Sequence, residues 1–155
     1  MSSLTFRPRG QYYEAFEIGQ TLVTAGRTIT ESDIVNFAGI SGDFNQMHVD
    51  AQYAAAGEFG QRVAHGLLVV SIVTGLIVQT GLMEGTVLAF RELDWKFSQA
   101  VFIGDTVRAK IEITGLKALP RLGGGSINAK ITVLNQNDQA VHRGNMVLLM
   151  RSEPE

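Results

Sequence analysis

Asp43 and His48 stand five residues apart in Gly42-Asp43-Phe44-Asn45-Gln46-Met47-His48, and Ala64-His65-Gly66 follows, with Gly66 eighteen residues beyond His48. Two of the three histidines therefore lie at the entrance to the most apolar segment of the chain. A carboxylate and an imidazole are side chains that take and give protons, so general acid–base chemistry is what this pair offers. Five residues along a helix amount to about 140° of rotation, which would put the two on different faces. A loop can bring them together, and Gly42 with Asn45 and Gln46 reads as that loop, because glycine tolerates any φ and asparagine suits turns. On spacing alone a plainer alternative stays open: Asp43 as a turn residue and His48 as a partly buried histidine with its hydrogen bonds met. A metal site has less to recommend it. Asp50, the nearest extra ligand, is better used as a helix cap, and His65 as a structural hydrogen-bonding residue ahead of the next helix.

The elements that must position these residues can be read around them. Thr30 and Asp33 have capping-box spacing, and Ile34, Val35, Phe37, Ala38 and Ile40 form an apolar stripe. A helix is expected there, stopping near Ser41–Gly42 and delivering Asp43 at its C-terminal end. Asp50 caps a short helix, Ala51–Ala56, that stops at Gly57. Upstream, residues 11–26 read as a lead-in loop covering the core, and a first strand spans Thr21–Ile29. After Gly66 come the sixteen uncharged residues Leu67–Leu82. Val69, Val70, Ile72, Val73, Ile77 and Val78 would suit a buried strand, but the run is too long for an ordinary one. It is also too short for a membrane span, and Ser71, Thr74, Gln79 and Thr80 interrupt it. The expectation is a helix apolar nearly all round and so surrounded by protein.

From Thr86 the pattern changes to period two, predicting strands Val87–Phe97, Thr106–Leu119, Ser126–Asn135 and Ala140–Arg151. The separators, Gly104-Asp105, Pro120 to Gly125 and Asn135 to Gln139, are hairpin-like. His142 falls in the last strand as a surface residue, and Arg121 with Gly123–Gly125 reads as a solvated hairpin rather than a phosphate site. One antiparallel sheet around one buried helix is an α+β architecture, expected as a single domain over 1–155.

Composition narrows the function. The absence of cysteine excludes disulfides, cysteine zinc sites and a cysteine nucleophile. A net charge of −2 gives no electrostatic reason to expect nucleic acid. The opening Met1 to Arg9 has no apolar leader, so a cytoplasmic protein without a membrane segment is the default reading.

Gly42 to His48 together with Ala64-His65-Gly66 resembles the signature of the MaoC-like dehydratases and (R)-specific enoyl-CoA hydratases, which have the hot-dog fold. The similarity extends to Tyr13 to Gly19, to Arg27 to Ile34 and to Phe97 through Gly104-Asp105-Thr106. Two departures stand out: Gln46 where the family commonly has proline, expected to loosen the loop carrying His48, and Ala100-Val101 in place of Pro-Val. The resemblance implies reversible hydration of trans-2-enoyl-CoA to (R)-3-hydroxyacyl-CoA, with coenzyme A thioester as substrate and no other cofactor. It implies Asp43 and His48 as the catalytic pair holding one water, with Asn45 orienting the water or the pair. Gly66 would offer its backbone N–H to the thioester oxygen from the start of the central helix, where amides lack intrahelical partners. It further implies a homodimer or a higher assembly of dimers. Two rivals remain: a hot-dog acyl-CoA thioesterase, against which Leu67–Leu82 offers no Asp or Glu, and a non-catalytic acyl-thioester-binding protein.

Overall fold

The computed structural model describes residues 9–154; the reading of the chain's opening, apart from Arg9, lies outside them. The leading segment forms a single 3-10 turn at Tyr13–Ala15, and Tyr13 and Phe16 pack against the core as the lead-in reading expects. The strand expected at Thr21–Ile29 is broken in two, β1 (Thr21–Val23) and β2 (Arg27–Thr28). Both lie antiparallel to β4 (Thr106–Leu119), with Val23 opposite Lys110 and Arg27 opposite Val107. At the break the Thr24 hydroxyl takes the place of a backbone acceptor and receives the Ala109 N–H. A side chain that competes for the ladder in this way ends regular pairing.

Helix α1 (Glu31–Ser41) carries the expected capping box: the Thr30 hydroxyl accepts from the Asp33 N–H, and the Asp33 carboxylate accepts from the Thr30 N–H. It ends at Gly42, whose φ of 76° is left-handed. The stretch expected as a loop contains a further short helix, α2 (Gln46–Val49), with Asn45 as its cap. Gln46 is the first helical residue, a position whose N–H has no intrahelical partner. Glutamine and proline are therefore equivalent there in hydrogen bonding, and the turn stays closed through the Asp50 N–H to the Gln46 carbonyl. Asp50 accepts from the N–H groups of Gln52 and Tyr53 to start α3 (Ala51–Ala55), as expected.

The apolar segment is the helix α4 (Gly66–Gln79). It stops before Leu82 because the Thr80 hydroxyl bonds back to the Ile77 carbonyl and Gly81 turns left-handed at φ 80°. Leu68, Val69, Ile72, Val73, Leu76 and Ile77 face the sheet and are buried. The expectation of a helix enclosed on all sides fails in the single chain: Leu67, Ser71 and Val78 make an open stripe.

Four long strands wrap this helix: β3 (Val87–Phe97), β4, β5 (Gly124–Leu134) and β6 (Ala140–Arg151). The order is β1-β4-β5-β6-β3, all antiparallel, so β3 has one free edge. This is the hot-dog arrangement. Ile127, Ala129, Ile131 and Val133 of β5 lie opposite Leu148, Met146, Gly144 and His142 and form the inner face over α4. His142 is on that inner face and 2 % exposed, not at the surface. The β5–β6 ladder runs without a shift from Gly124/Arg151 to Val133/His142, so His142 shares the inward phase of Met146 and Met150, and the bulge follows only after it.

Candidate active site

Asp43 and His48 meet at the C-terminal end of α1. Gly42 reverses the chain, the Ser41 hydroxyl accepts from the Asp43 N–H, and the Asn45 N–H donates to Asp43 Oδ1. That leaves Asp43 Oδ2 turned towards His48, 4.0 Å from its Nε2. The separation is too long for a direct hydrogen bond and leaves room for an atom that bonds to both. Asn45 contributes its backbone to Asp43 while its own side-chain oxygen caps α2 at the Met47 N–H.

His48 differs from the loop residue read in the sequence, since it sits on α2 with its ring buried. Its Nδ1 is 2.7 Å from the Val63 carbonyl, an acceptor only, so Nδ1 carries the proton. In the neutral ring Nε2 then presents a lone pair towards Asp43. The sequence carries no signal for this contact, because the partner is a backbone carbonyl. Val63 itself is pinned by its N–H to the Met47 carbonyl and by a bridge to Phe102.

His65 is brought to the same place. Its Nε2 donates to the Asp43 carbonyl at 2.9 Å, and its ring stacks on His48 with centroids 3.8 Å apart and planes 28° apart. Phe37 of α1 covers the group at 4.9 Å. Asp43, His48 and His65 hold ligand-type atoms within 4.8 Å of one another. Stacked imidazoles send their lone pairs out along nearly parallel planes, however, whereas a metal needs them to converge on one point. The geometry favours moving protons over holding an ion.

Gly66 opens α4, and the His65 side chain, committed to Asp43, makes no cap bond. The first N–H groups of a long helix, with the positive end of its dipole, thus lie next to the pair. A Cβ on Gly66 would come within 2.6 Å of the Phe97 ring. The missing side chain leaves the space that the Phe97 ring occupies.

Phe97 in turn contacts His142 edge-on at 5.1 Å. Burial lowers His142 to a pKa of about 4, and its Nδ1 has no hydrogen-bond partner among the described residues. Arg121 lies at the far end of the 14-residue β4 from Thr106, away from the pair, in keeping with its reading as part of a hairpin. Clefts of about 490 and 540 Å³ both lie around Arg9, Gln11 and Ala15. The first also meets Thr80 and Leu82, which places it at the opposite end of α4 from His65.

The chain is similar to known proteins over most of its length. A family model described as "MaoC like domain" matches residues 14–133. Over 105 residues the chain is 39% identical to the (R)-specific enoyl-CoA hydratase of Rhodospirillum rubrum, covering 68% of this chain and 71% of that protein. It is 38% identical over 104 residues to Protein MaoC of Klebsiella aerogenes, covering 67% of this chain but only 31% of that longer protein. Among solved structures, the unliganded R-hydratase PhaJ1 from Pseudomonas aeruginosa superposes with a TM-score of 0.77 at 29% identity, over 92% of this chain and 86% of that one. No helix of the described residues is long and apolar enough to cross a membrane.

Proposed function

We propose that this chain, which belongs to the MaoC-like dehydratase family, catalyses the reversible hydration of a trans-2-enoyl-CoA to the (R)-3-hydroxyacyl-CoA as a single hot-dog domain. The observation that carries the reading is the pairing of Asp43 Oδ2 with the unprotonated Nε2 of His48 across 4.0 Å, beside the uncapped start of α4. A water held by both atoms has an acceptor for each of its protons and a lone pair left for C3. As the oxygen bonds to C3, one proton passes to the pair, and a proton from the pair is delivered to C2, so the elements of water are added across the double bond. Negative charge develops on the thioester oxygen during this step. The Gly66 N–H, unpaired within the helix, is the donor assigned to it. Hydrolysis of the thioester, the rival within the fold, finds no carboxylate on α4 to direct a water at the carbonyl carbon.

The substrate slot is completed by a second copy. Phe90, Leu93 and Phe97 lie opposite Leu148, Met146 and His142, so they share the inner face, yet on the free edge strand they stay exposed. Leu67 and Val78 of α4 are also open. Pairing two β3 edges about a twofold axis would satisfy the edge and cover this apolar strip. Incubation with trans-2-enoyl-CoA tests the reading: the conjugated absorbance should fall and (R)-3-hydroxyacyl-CoA accumulate without free thiol. Thiol release matching substrate loss would assign the chain to the thioesterases, and binding without turnover would leave it a carrier of acyl thioesters.

A further inference from the structure

We propose that His65 is the positioning residue that sets the Asp43/His48 pair in register with the start of α4, an inference that rests on the hydration reading above. Asp43 belongs to the short connection between α1 and α2, and its side chain is half exposed. Its local anchors, the Ser41 hydroxyl at the last residue of α1 and the Asn45 N–H, lie within two residues of it and do not tie it to α4. The bond from His65 Nε2 to the Asp43 carbonyl crosses 22 residues and ties that connection to the residue preceding Gly66. The other face of the same ring is used on His48, stacked at 3.8 Å. One side chain therefore touches the carboxylate's backbone and the imidazole, and is covalently joined to the proposed oxyanion donor.

His65 is 2 % exposed, and its Nδ1 is buried without a hydrogen-bond partner. A phenylalanine would fill the same space between Phe37 and His48 without burying an unpartnered nitrogen. What histidine adds over phenylalanine is the Nε2–H, and that proton is spent on Asp43. The helix start does not depend on it, because the His65 side chain makes no cap bond. Removing the donor should loosen the Asp43 connection while α4 stays formed.

Two variants separate the two contacts. His65→Phe keeps the stack and deletes the donor; His65→Gln keeps an N–H donor of similar reach and deletes the stack. Displacing a catalytic group by about an ångström costs on the order of 100-fold, so His65→Phe should lower kcat by about 30- to 100-fold while KM changes by less than about threefold. His65→Gln should restore kcat to within about tenfold of the parent. Amide hydrogen exchange, which needs no substrate, supplies the second arm. Asp43 and Asn45 should exchange at least about tenfold faster in His65→Phe than in the parent, with Val69 and Val73 of α4 unchanged and His65→Gln close to the parent. A His65→Phe variant with kcat within about threefold of the parent, or with unaltered exchange at Asp43 and Asn45, overturns the inference. So does equal loss of protection along α4, which would make His65 a support of the helix alone. If the parent fails to hydrate enoyl-CoA, the proposed function falls, and the exchange arm still decides whether His65 holds Asp43.

Discussion

Replacing Gly66 by proline removes one backbone N–H at the start of α4, and set beside Gly66→Ala it tests the proposed oxyanion donor. Gly66 is the first helical residue of α4, where proline is tolerated because its N–H has no helical partner. His65 sits at φ −58°, ψ 134°, extended rather than α-helical, with ψ in the range favoured before proline. The backbone therefore accepts the change without unwinding α4. The side-chain cost is real, since any Cβ at this position comes 2.6 Å from Phe97 Cε1. Phe97 is 53% exposed and has room to move, and Gly66→Ala makes the same Cβ contact while keeping the N–H, the ring carbons Cγ and Cδ being added only by proline. The comparison of the two variants separates the loss of the N–H from the Cβ contact with Phe97. Removing one oxyanion donor lowers kcat by about 10²–10³-fold, on the order of 3–4 kcal/mol, so Gly66→Pro should fall below Gly66→Ala by that factor. Gly66→Ala should itself stay within about tenfold of the parent. The assay is the initial rate of loss of conjugated absorbance from trans-2-enoyl-CoA, with circular dichroism confirming that helix content is kept in both variants. Equal kcat in the alanine and proline variants would refute the assignment of the Gly66 N–H.

The pair itself is tested by Asp43→Asn, which keeps the Oδ1 acceptor for Asn45, and His48→Asn, which keeps a nitrogen near the Val63 carbonyl and deletes Nε2. His48 is buried rather than in a free loop, so this substitution is a gentler probe than truncation to alanine. Each single change should cost about 10²–10⁴-fold in kcat, and the double variant should be hardly slower than the worse single one; independent, multiplying losses would sink the shared-water mechanism. His142 makes stability depend on pH: its folded pKa is lowered from 6.5 to about 4, so between these values the unfolded chain binds the extra proton and the fold weakens as pH falls. The contribution is fully present above about pH 6.5, and its loss on going down to pH 4 is about 3 kcal/mol. In urea unfolding followed from pH 7 to pH 4, His142→Phe should lack this component; identical pH slopes in variant and parent would remove the buried neutral histidine from the account. For the assembly, sedimentation should give at least twice the chain mass at micromolar concentration, and Leu93→Lys on the free β3 strand should shift it towards one chain and lower activity with it. A parent that sediments as one chain contradicts the β3 interface.

Local chemistry was enough to place most of the elements. Val87–Phe97, Thr106–Leu119 and Ala140–Arg151 form strands over the expected residues, because a half-buried sheet imposes period two on the sequence itself. The Thr30/Asp33 capping box, the Gly42 stop and the Asp50 cap were equally legible, since each is a contact between near neighbours. Asp43 and His48 stood out as groups that can move protons, and the family resemblance added Gly66 to them. What the sequence could not decide depends on partners far along the chain. His142 reads as one more polar residue in an alternating strand, and only its place between Val133 and Phe97 on the neighbouring strands encloses it away from water. The break in the strand after Val23 follows from the Thr24 hydroxyl meeting an N–H 85 residues away. The tautomer of His48 is set by the Val63 carbonyl, and the stack of His65 on His48 by the packing of α1 against the start of α4. Backbone carbonyls and ring contacts leave no mark on residue identity or spacing, so the sequence names the groups that can move protons, and tertiary packing decides which nitrogen holds one.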